Sequence, residues 1–104
     1  MPEAFSYKFT TEDKPLSFDF SQMLATGETI STASCSALVI DGTDASPSSL
    51  LSGSPTVSGT KVFQRVHNGV AGVTYRLVMT ITTSGSNTLV AVGDLPVTNP
   101  VDVQ

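Results

Sequence analysis

The side chains that could do chemistry in this chain are few and widely spaced. His67 is the only histidine, so a histidine-rich metal site is excluded, and no Gly-x-Ser-x-Gly sequence offers it an activated nucleophile. The Asp-Gly-Thr-Asp at 41–44 resembles part of a calcium loop but lacks the further acids and the closing glutamate. Glu12, Asp13 and Glu28 could act as paired carboxylates only if the fold brought them together. This pattern predicts no enzyme, no metal site and no cofactor.

The cysteine count and the apolar runs limit where the protein works. Cys35 is the only cysteine, so the chain has neither an internal disulfide nor a cysteine-based zinc site, and we interpret it as a small buried side chain. No run is long enough for a membrane helix, and the first residues lack the apolar core of a signal peptide. Unless a precursor is processed, we expect synthesis in a cytoplasm and no contact with a membrane.

The charge balance argues against nucleic-acid binding. The chain of 104 residues has a net charge of −4, and its five basic residues are spread from Lys8 to Arg76. Phosphate binding needs clustered Lys and Arg. Only 13% of the residues are charged, whereas Ser and Thr contribute fourteen each. This length and composition predict a single domain kept soluble by neutral polar groups.

Alternating apolar and polar residues recur every eight to twelve positions, separated by Gly, Pro, Ser and Asn. The pattern predicts strands within these ranges: 5–9, 16–20, 34–40, 60–67, 73–83 and 88–95. The stretch 41–60 is interpreted as the longest loop, with a short strand near Leu50. No helix longer than one turn is expected. We predict an all-β fold, an immunoglobulin-like or fibronectin-like antiparallel β-sandwich of about seven short strands.

Two local features fit such a sandwich. Residues 21–27 are expected to form a capped turn that leads from one sheet to the other, with Met23 and Leu24 closing the end of the core. Tyr75 follows Gly72 by three residues at the start of a long strand, which is the layout of a tyrosine corner. An ordinary core tyrosine near a turn explains the same residues equally well.

The N-terminal residues allow two interpretations. We divide the chain into an N-terminal arm or first strand at 1–12, a β-sandwich domain at 13–95 and a C-terminal tail at 96–104. Phe5, Tyr7 and Phe9 alternate with Ser6 and Lys8, so the aromatics are expected to share one face. They are the candidate assembly contacts if the segment pairs with a neighbouring subunit. Alternatively, the segment is the first strand of its own domain.

The order of several short motifs resembles the fiber–tail adaptors of tailed phages. Those proteins typically contain Phe-Asp-Trp-Ser, a short hydrophobic turn and Gly-Asp/Glu-Thr-Ile. Here the matching residues are Phe-Asp-Phe-Ser at 18–21, then Leu24, and Gly-Glu-Thr-Ile at 27–30. Gly-Val-Thr-Tyr at 72–75 and Ile-Thr-Thr-Ser at 81–84 are similar to later stretches of the same family. The resemblance covers roughly residues 14–95, although Phe20 replaces a tryptophan and 41–60 matches nothing.

The resemblance implies an immunoglobulin-like sandwich that joins parts of a phage particle, without catalysis or a cofactor. The expected role is an adaptor or connector between the tail or head and fiber components. The expected partners are other virion proteins and further copies of the chain. The protein is expected to be made in the host cytoplasm and to be part of the virion. The alternatives are a capsid decoration protein and a β-sandwich module that binds a carbohydrate or a cell surface.

Overall fold

Two β-sheets packed face to face form the fold. The computed structural model describes residues 3–5 and 7–99, which contain eight strands and one short 3-10 helix. In chain order these elements are β1 (Glu3–Ala4), β2 (Lys8–Phe9), β3 (Lys14–Asp19), β4 (Ile30–Asp41), the 3-10 helix (Pro47–Leu50), β5 (Leu51–Ser58), β6 (Lys61–Val66), β7 (Thr74–Thr83) and β8 (Thr88–Thr98). The prediction of an all-β fold is confirmed.

The two sheets differ in size and in how their strands run. In sheet one, β8, β7 and β4 are antiparallel neighbours in that order, and β1 and β2 both pair with the outer side of β8. Sheet two has the order β3-β6-β5 and is antiparallel. The purely antiparallel prediction is wrong for β1 and β2, which run parallel to β8. The immunoglobulin-like strand arrangement stays a prediction.

The core lies between the inward faces of the sheets. The four alternating apolar residues of β7 are all fully buried, as their spacing predicts: Tyr75, Leu77, Met79 and Ile81. Sheet two and its flanking residues contribute further buried side chains, including Leu16, Phe18, Phe20, Val62 and Val66. Burial of this apolar surface provides the main driving force for the two-layer arrangement.

The turn between β3 and β4 crosses from sheet two to sheet one, as expected. Its side chains are not arranged as expected, because Leu24 packs against the core while Met23 is 46% exposed. The backbone N–H groups of Met23 and Leu24 both donate to the carbonyl of Phe20, at 2.9 and 3.1 Å. This single tight turn sends consecutive side chains in different directions, so only one of them reaches the core.

The stretch 41–60 is more ordered than its composition suggests. It contains the 3-10 helix and the eight-residue β5, so its interpretation as mostly loop is wrong. β5 lies at an edge of sheet two, where a proline such as Pro55 is tolerated. Its pairing with β6 is irregular between Ser52 and Thr56. The buried Gln64 amide fills this irregularity and donates to the Gly53 carbonyl at 3.1 Å.

The C-terminal strand runs further than the alternating pattern indicates. β8 continues through Pro96 to Thr98, beyond the expected strand end at residue 95. The rest of the expected tail, residues 100–104, lies outside the described residues. Residues 1, 2 and 6 lie outside them as well.

Candidate assembly surfaces

The N-terminal segment, of which residues 3–5 and 7–9 are described, lies at one outer edge of sheet one. The Phe5 amide donates to the Asp94 carbonyl at 2.9 Å, and the Thr10 amide donates to the Thr98 carbonyl at 3.0 Å. Ala4 lies opposite Asp94, and Lys8 lies opposite Val97. Between these two pairings the segment advances by four residues while β8 advances by three. The register with β8 therefore shifts by one residue between Ala4 and Lys8. This shift, called the bulge below, reverses the faces of the side chains that follow it.

Phe5 precedes the reversal and points into the protein. Its ring meets that of Phe18 edge to face, with 5.4 Å between the ring centroids. Gly93 makes room for it, because a Cβ there would lie 2.2 Å from Phe5 Cε2. Phe5 therefore packs against the core of its own chain.

Lys8 follows the bulge and is fully buried, although the alternation placed it opposite the aromatics. Its ammonium group donates to the carbonyls of Phe9 at 2.8 Å and of Asn68 at 2.7 Å. Burial lowers the pKa of Lys8, and the nearby Glu12 carboxylate opposes that change. Lys8 thus ties β2 to the loop between β6 and β7.

Tyr7 and Phe9 face away from the core. Tyr7 is 48% exposed, and its ring meets that of Phe9 edge to face at 5.3 Å. The expectation of one file with Phe5, Tyr7 and Phe9 together is wrong, because the bulge separates Phe5 from the other two. The result is an aromatic pair, with Tyr7 exposed and Phe9 partly buried, on a strand held in place by Phe5 and Lys8.

The turn after β2 fixes the segment to sheet two. The Phe9 amide donates to the Glu12 carboxylate at 2.8 Å, and Lys14 pairs with the same carboxylate at 3.3 Å. The bond from the Phe9 amide is the main reason that the pKa of Glu12 is lowered. Asp13 pairs with Arg65 at 3.1 Å. Glu12 and Asp13 therefore each have a basic partner.

Tyr75 connects two loops at one end of the sandwich. Its buried hydroxyl accepts a bond from the Val70 amide, five residues upstream, at 2.9 Å, and donates to Asp44 at 2.6 Å. Burial, with a contribution from Asp44, raises the pKa of Tyr75 to about 12, while the tyrosine hydroxyl lowers that of Asp44. The loop that contains Asp44 is thus tied to Tyr75. The interpretation of Tyr75 as a tyrosine corner stays a prediction.

Glu28 connects the turn after β3 to the β7–β8 hairpin. Its carboxylate accepts hydrogen bonds from the Thr83 hydroxyl, the Ala25 amide at 2.9 Å and the Asn87 side chain at 2.8 Å. These donors lower the pKa of Glu28, with Thr83 contributing most. Glu28 therefore joins loops rather than pairing with the acids at 12 and 13.

The remaining reactive candidates have ordinary surroundings. Cys35 lies partly buried on β4, and burial raises the pKa of its thiol to about 11, which disfavours a nucleophilic thiolate. His67 Nε2 lies 3.4 Å from the side-chain nitrogen of Asn68. Within the described residues, no three His, Cys, Asp or Glu side chains come together as a possible metal site. None of the described helical residues forms a helix long and apolar enough to cross a membrane.

Sequence reasoning missed the two residues that position the N-terminal segment. Lys8 gave no signal, because a lysine between aromatics is ordinarily exposed on the polar face of a strand. Gly93 interrupts the apolar run at 89–95, and a glycine inside a strand can mark the close approach of another group. That signal could have drawn attention to this part of β8.

Comparison with known protein families supports the resemblance to phage adaptors. Residues 8–95 match the family described as podophage GP4 fiber-tail adaptor protein gp77, which confirms the resemblance found in the short motifs. The match begins at β2, so Phe5 and Tyr7 precede it. No curated protein and no solved structure matches the chain. Because the match spans most of the 104 residues, the chain belongs to the podophage fiber–tail adaptor family.

Proposed function

We propose that this protein is a non-enzymatic structural component of a phage virion. It connects the tail or head to fiber components through protein–protein contacts. Membership of the adaptor family over residues 8–95 carries the proposal. The chain is made in the host cytoplasm and forms a homo-oligomer in the particle. Its contacts involve neither nucleic acid nor a membrane.

The pair of Tyr7, which is exposed, and Phe9, which is partly buried, is the proposed contact with another virion protein. Aromatic side chains of this kind are favoured at interfaces, because they bury a large area and have few rotatable bonds. Tyr7 is 48% exposed, and its strand is fixed by the partly buried Phe5 and the fully buried Lys8. Phe5 contributes by holding the strand in place, since its ring already packs within its own chain.

The test is incorporation of Tyr7→Ser into particles. A host supplies the variant while a phage lacking the corresponding gene is grown, and the protein is quantified in purified virions. We expect incorporation to fall at least about tenfold, because loss of a central aromatic contact costs more than 1.4 kcal/mol of binding. Met23→Ser is the matched control, since Met23 is 46% exposed and lies in the β3–β4 turn.

The outcomes separate the connector from its alternatives. Equal incorporation of both variants would remove Tyr7 from the contact. Wild-type protein spread over the whole surface of tailless capsids, rather than confined to the vertex that carries the tail, would instead indicate a decoration protein. Binding to a glycan array, with no binding to tail or fiber components, would indicate a ligand-binding module.

A further inference from the structure

The loop between β6 and β7 contains Asn68 followed by Gly69, the only Asn-Gly pair in the chain. The backbone nitrogen that follows an asparagine can attack the side-chain amide carbon and close a cyclic imide. A glycine nitrogen does so most readily, because no side chain shields it. Asn87 precedes a threonine, whose branched Cβ crowds its nitrogen, and Asn99 precedes a proline, whose nitrogen has no hydrogen. Asn68 is therefore the most reactive asparagine by sequence.

The fold requires a glycine at position 69. Gly69 has a φ of 96°, a conformation that residues with a side chain rarely adopt. A Cβ there would also lie 3.1 Å from Val97 Cγ2 and 3.2 Å from Leu50 Cδ1. Asn68 has a φ of 52°, which asparagine tolerates better than most residues. The backbone of this loop therefore favours the reactive pair.

The groups that would react are accessible and weakly held. Asn68 is exposed, and its side-chain nitrogen donates to the Ser49 carbonyl at 3.3 Å, which is long for such a bond. The same nitrogen lies 3.4 Å from His67 Nε2. Within the described part of the chain, the Gly69 amide donates to no acceptor. Its proton is thus not retained by a hydrogen bond.

The backbone around Asn68 also holds other parts of the protein. The Asn68 carbonyl accepts the hydrogen bond from the buried Lys8 ammonium group at 2.7 Å. Two residues later, the Val70 amide donates to the Tyr75 hydroxyl at 2.9 Å. A covalent change between these two contacts would therefore act on the N-terminal segment through Lys8.

We propose that Asn68 is a site of spontaneous deamidation and isomerisation, with water as the only co-reactant. The Gly69 nitrogen loses its proton and forms a bond to Asn68 Cγ. The bond between Cγ and Nδ2 then breaks, and ammonia leaves with that proton. Water opens the imide ring at either carbonyl carbon, giving its hydroxyl to the carbon and its remaining proton to the Gly69 nitrogen. Opening at Cγ gives aspartate, and opening at the main-chain carbon gives isoaspartate.

The two products differ in their main chain. In isoaspartate the chain continues through Cβ and Cγ, so the loop gains one atom and the former main-chain carbonyl becomes a free carboxylate. Gly69 is packed against Leu50 and Val97, so the loop must shift to take up this atom. The shift moves the acceptor of Lys8 and loosens the N-terminal segment. Aspartate adds the same negative charge but leaves the path of the main chain unchanged.

The first test is incubation of the full folded chain in mildly alkaline buffer. Peptide mass spectrometry measures conversion at each asparagine, and enzymatic methylation measures isoaspartyl groups. We expect conversion at Asn68 to be at least about tenfold faster than at Asn87, because Thr88 crowds its own nitrogen. The same chain unfolded in urea verifies that the conditions support the reaction.

Asn68→Gly is the matched control. Glycine accepts the φ of 52° and keeps the carbonyl that binds Lys8, but it has no side-chain amide. The isoaspartyl signal should therefore disappear. The proposal would be overturned by equal rates at Asn68 and Asn87, by an isoaspartyl signal that persists in Asn68→Gly, or by no conversion at Asn68 while the unfolded chain converts.

The second test measures the effect on the N-terminal segment by hydrogen exchange. The amides of Phe5 and Thr10 donate to β8 and report whether the segment is attached. In the isoaspartyl form, isolated by chromatography, we expect these amides to exchange at least about tenfold faster than in the fresh chain, because Lys8 loses an acceptor. Asn68→Asp adds the charge without the extra atom and should exchange like the fresh chain. Unchanged exchange in the isoaspartyl form, or equally fast exchange in Asn68→Asp, would contradict this effect.

This inference does not depend on the proposed connector function, and the two can fail separately. A chain that converts at Asn68 but binds no tail or fiber component would contradict the connector alone. A chain that enters virions while Asn68 stays intact under the conditions above would contradict the modification alone.

Discussion

Lys8 determines how the N-terminal segment is held. A lysine on a two-residue strand would ordinarily extend into water, yet this ammonium group lies inside the protein against the carbonyls of Phe9 and Asn68. The removal of water from a charge is costly unless hydrogen bonds replace it. These two bonds therefore make the position of Lys8 specific, because any displacement would leave the charge without its acceptors.

Replacement of Lys8 by alanine should destabilise the fold. The Asn68 carbonyl loses the ammonium donor, the Phe9 carbonyl keeps only its bond from the Glu12 amide, and the side-chain volume becomes a cavity. We therefore expect a loss of about 2 kcal/mol in the free energy of unfolding. Urea denaturation measures this value. Lys61→Ala is the control, because Lys61 is exposed on β6 and should change stability by less than about 0.5 kcal/mol. Equal effects of the two substitutions would mean that the bonds of Lys8 contribute nothing.

The hydrogen bonds of Glu28 should make stability depend on pH in the acid range. Because they lower the pKa of Glu28 in the folded chain below its ordinary 4.5, the unfolded chain takes up the proton first as the pH falls. The contribution of Glu28 is therefore complete above about pH 4.5 and is lost as the pH falls through the lowered value. Melting temperatures across this range should fall less steeply for Glu28→Gln than for the wild type. Parallel curves for the two proteins would contradict this role.

At the scale of elements, a short segment stays in place because a glycine on its neighbour leaves space for an aromatic ring. Gly93 on β8 accommodates Phe5, which in turn meets Phe18 of the other sheet. The segment thus contacts both sheets, although its strands contain only two residues each. Its attachment depends on the fit at this position as well as on backbone pairing.

Gly93→Ala should loosen the segment while the rest of the sandwich stays folded. The added methyl group would meet Phe5 at 2.2 Å, and the ring must move away. We expect faster hydrogen exchange at the amides of Phe5 and Thr10, which donate to β8. A second substitution, Phe5→Leu, should restore part of the protection by relieving the overlap. Unchanged exchange in Gly93→Ala would show that the ring does not fix the segment.

At the scale of the whole molecule, one core includes residues from both sheets and from the N-terminal segment. Phe5 packs against the same cluster as the strands of the central sandwich. This arrangement favours the interpretation of the segment as a first strand that presents Tyr7 and Phe9 outward. The alternative, an arm that leaves its own domain, predicts that the sandwich is complete without it.

Deletion of residues 1–9 distinguishes these interpretations. If the segment is a first strand, the loss of Phe5 alone should cost about 1.5 kcal/mol or more, because its partly buried ring packs against the core. The urea midpoint monitored by circular dichroism should then fall strongly. A midpoint equal to that of the full chain would identify the segment as an arm instead.

The alternation of apolar and polar residues predicted the regular strands of this fold, but not its irregular parts. The alternation along β7 identified its buried face, because that strand has a neighbour on each side and no irregularity with β8. Only the start of β5 was expected, as a short strand near Leu50–Leu51. Its length was missed, because Gly53 and Pro55 are typical of loops and only the edge position of β5 explains them. The orientation of Lys8 depends on a bulge that no residue type marks. The bond between Tyr75 and Asp44 joins positions 31 residues apart, which spacing alone does not reveal.

The parallel pairing of the N-terminal segment with β8 has a mechanical consequence. If tension is applied to the two ends of the chain, β1 and β2 are pulled backward while β8 is pulled forward. The hydrogen bonds between them are then loaded in shear and must break together, whereas an antiparallel pair pulled from its open end unzips one bond at a time. The proposed connector experiences such tension if one end of the chain is attached to the fiber side and the other to the tail side. Single-molecule pulling should therefore detect a high rupture force for the full chain, and a much lower force once the segment is removed.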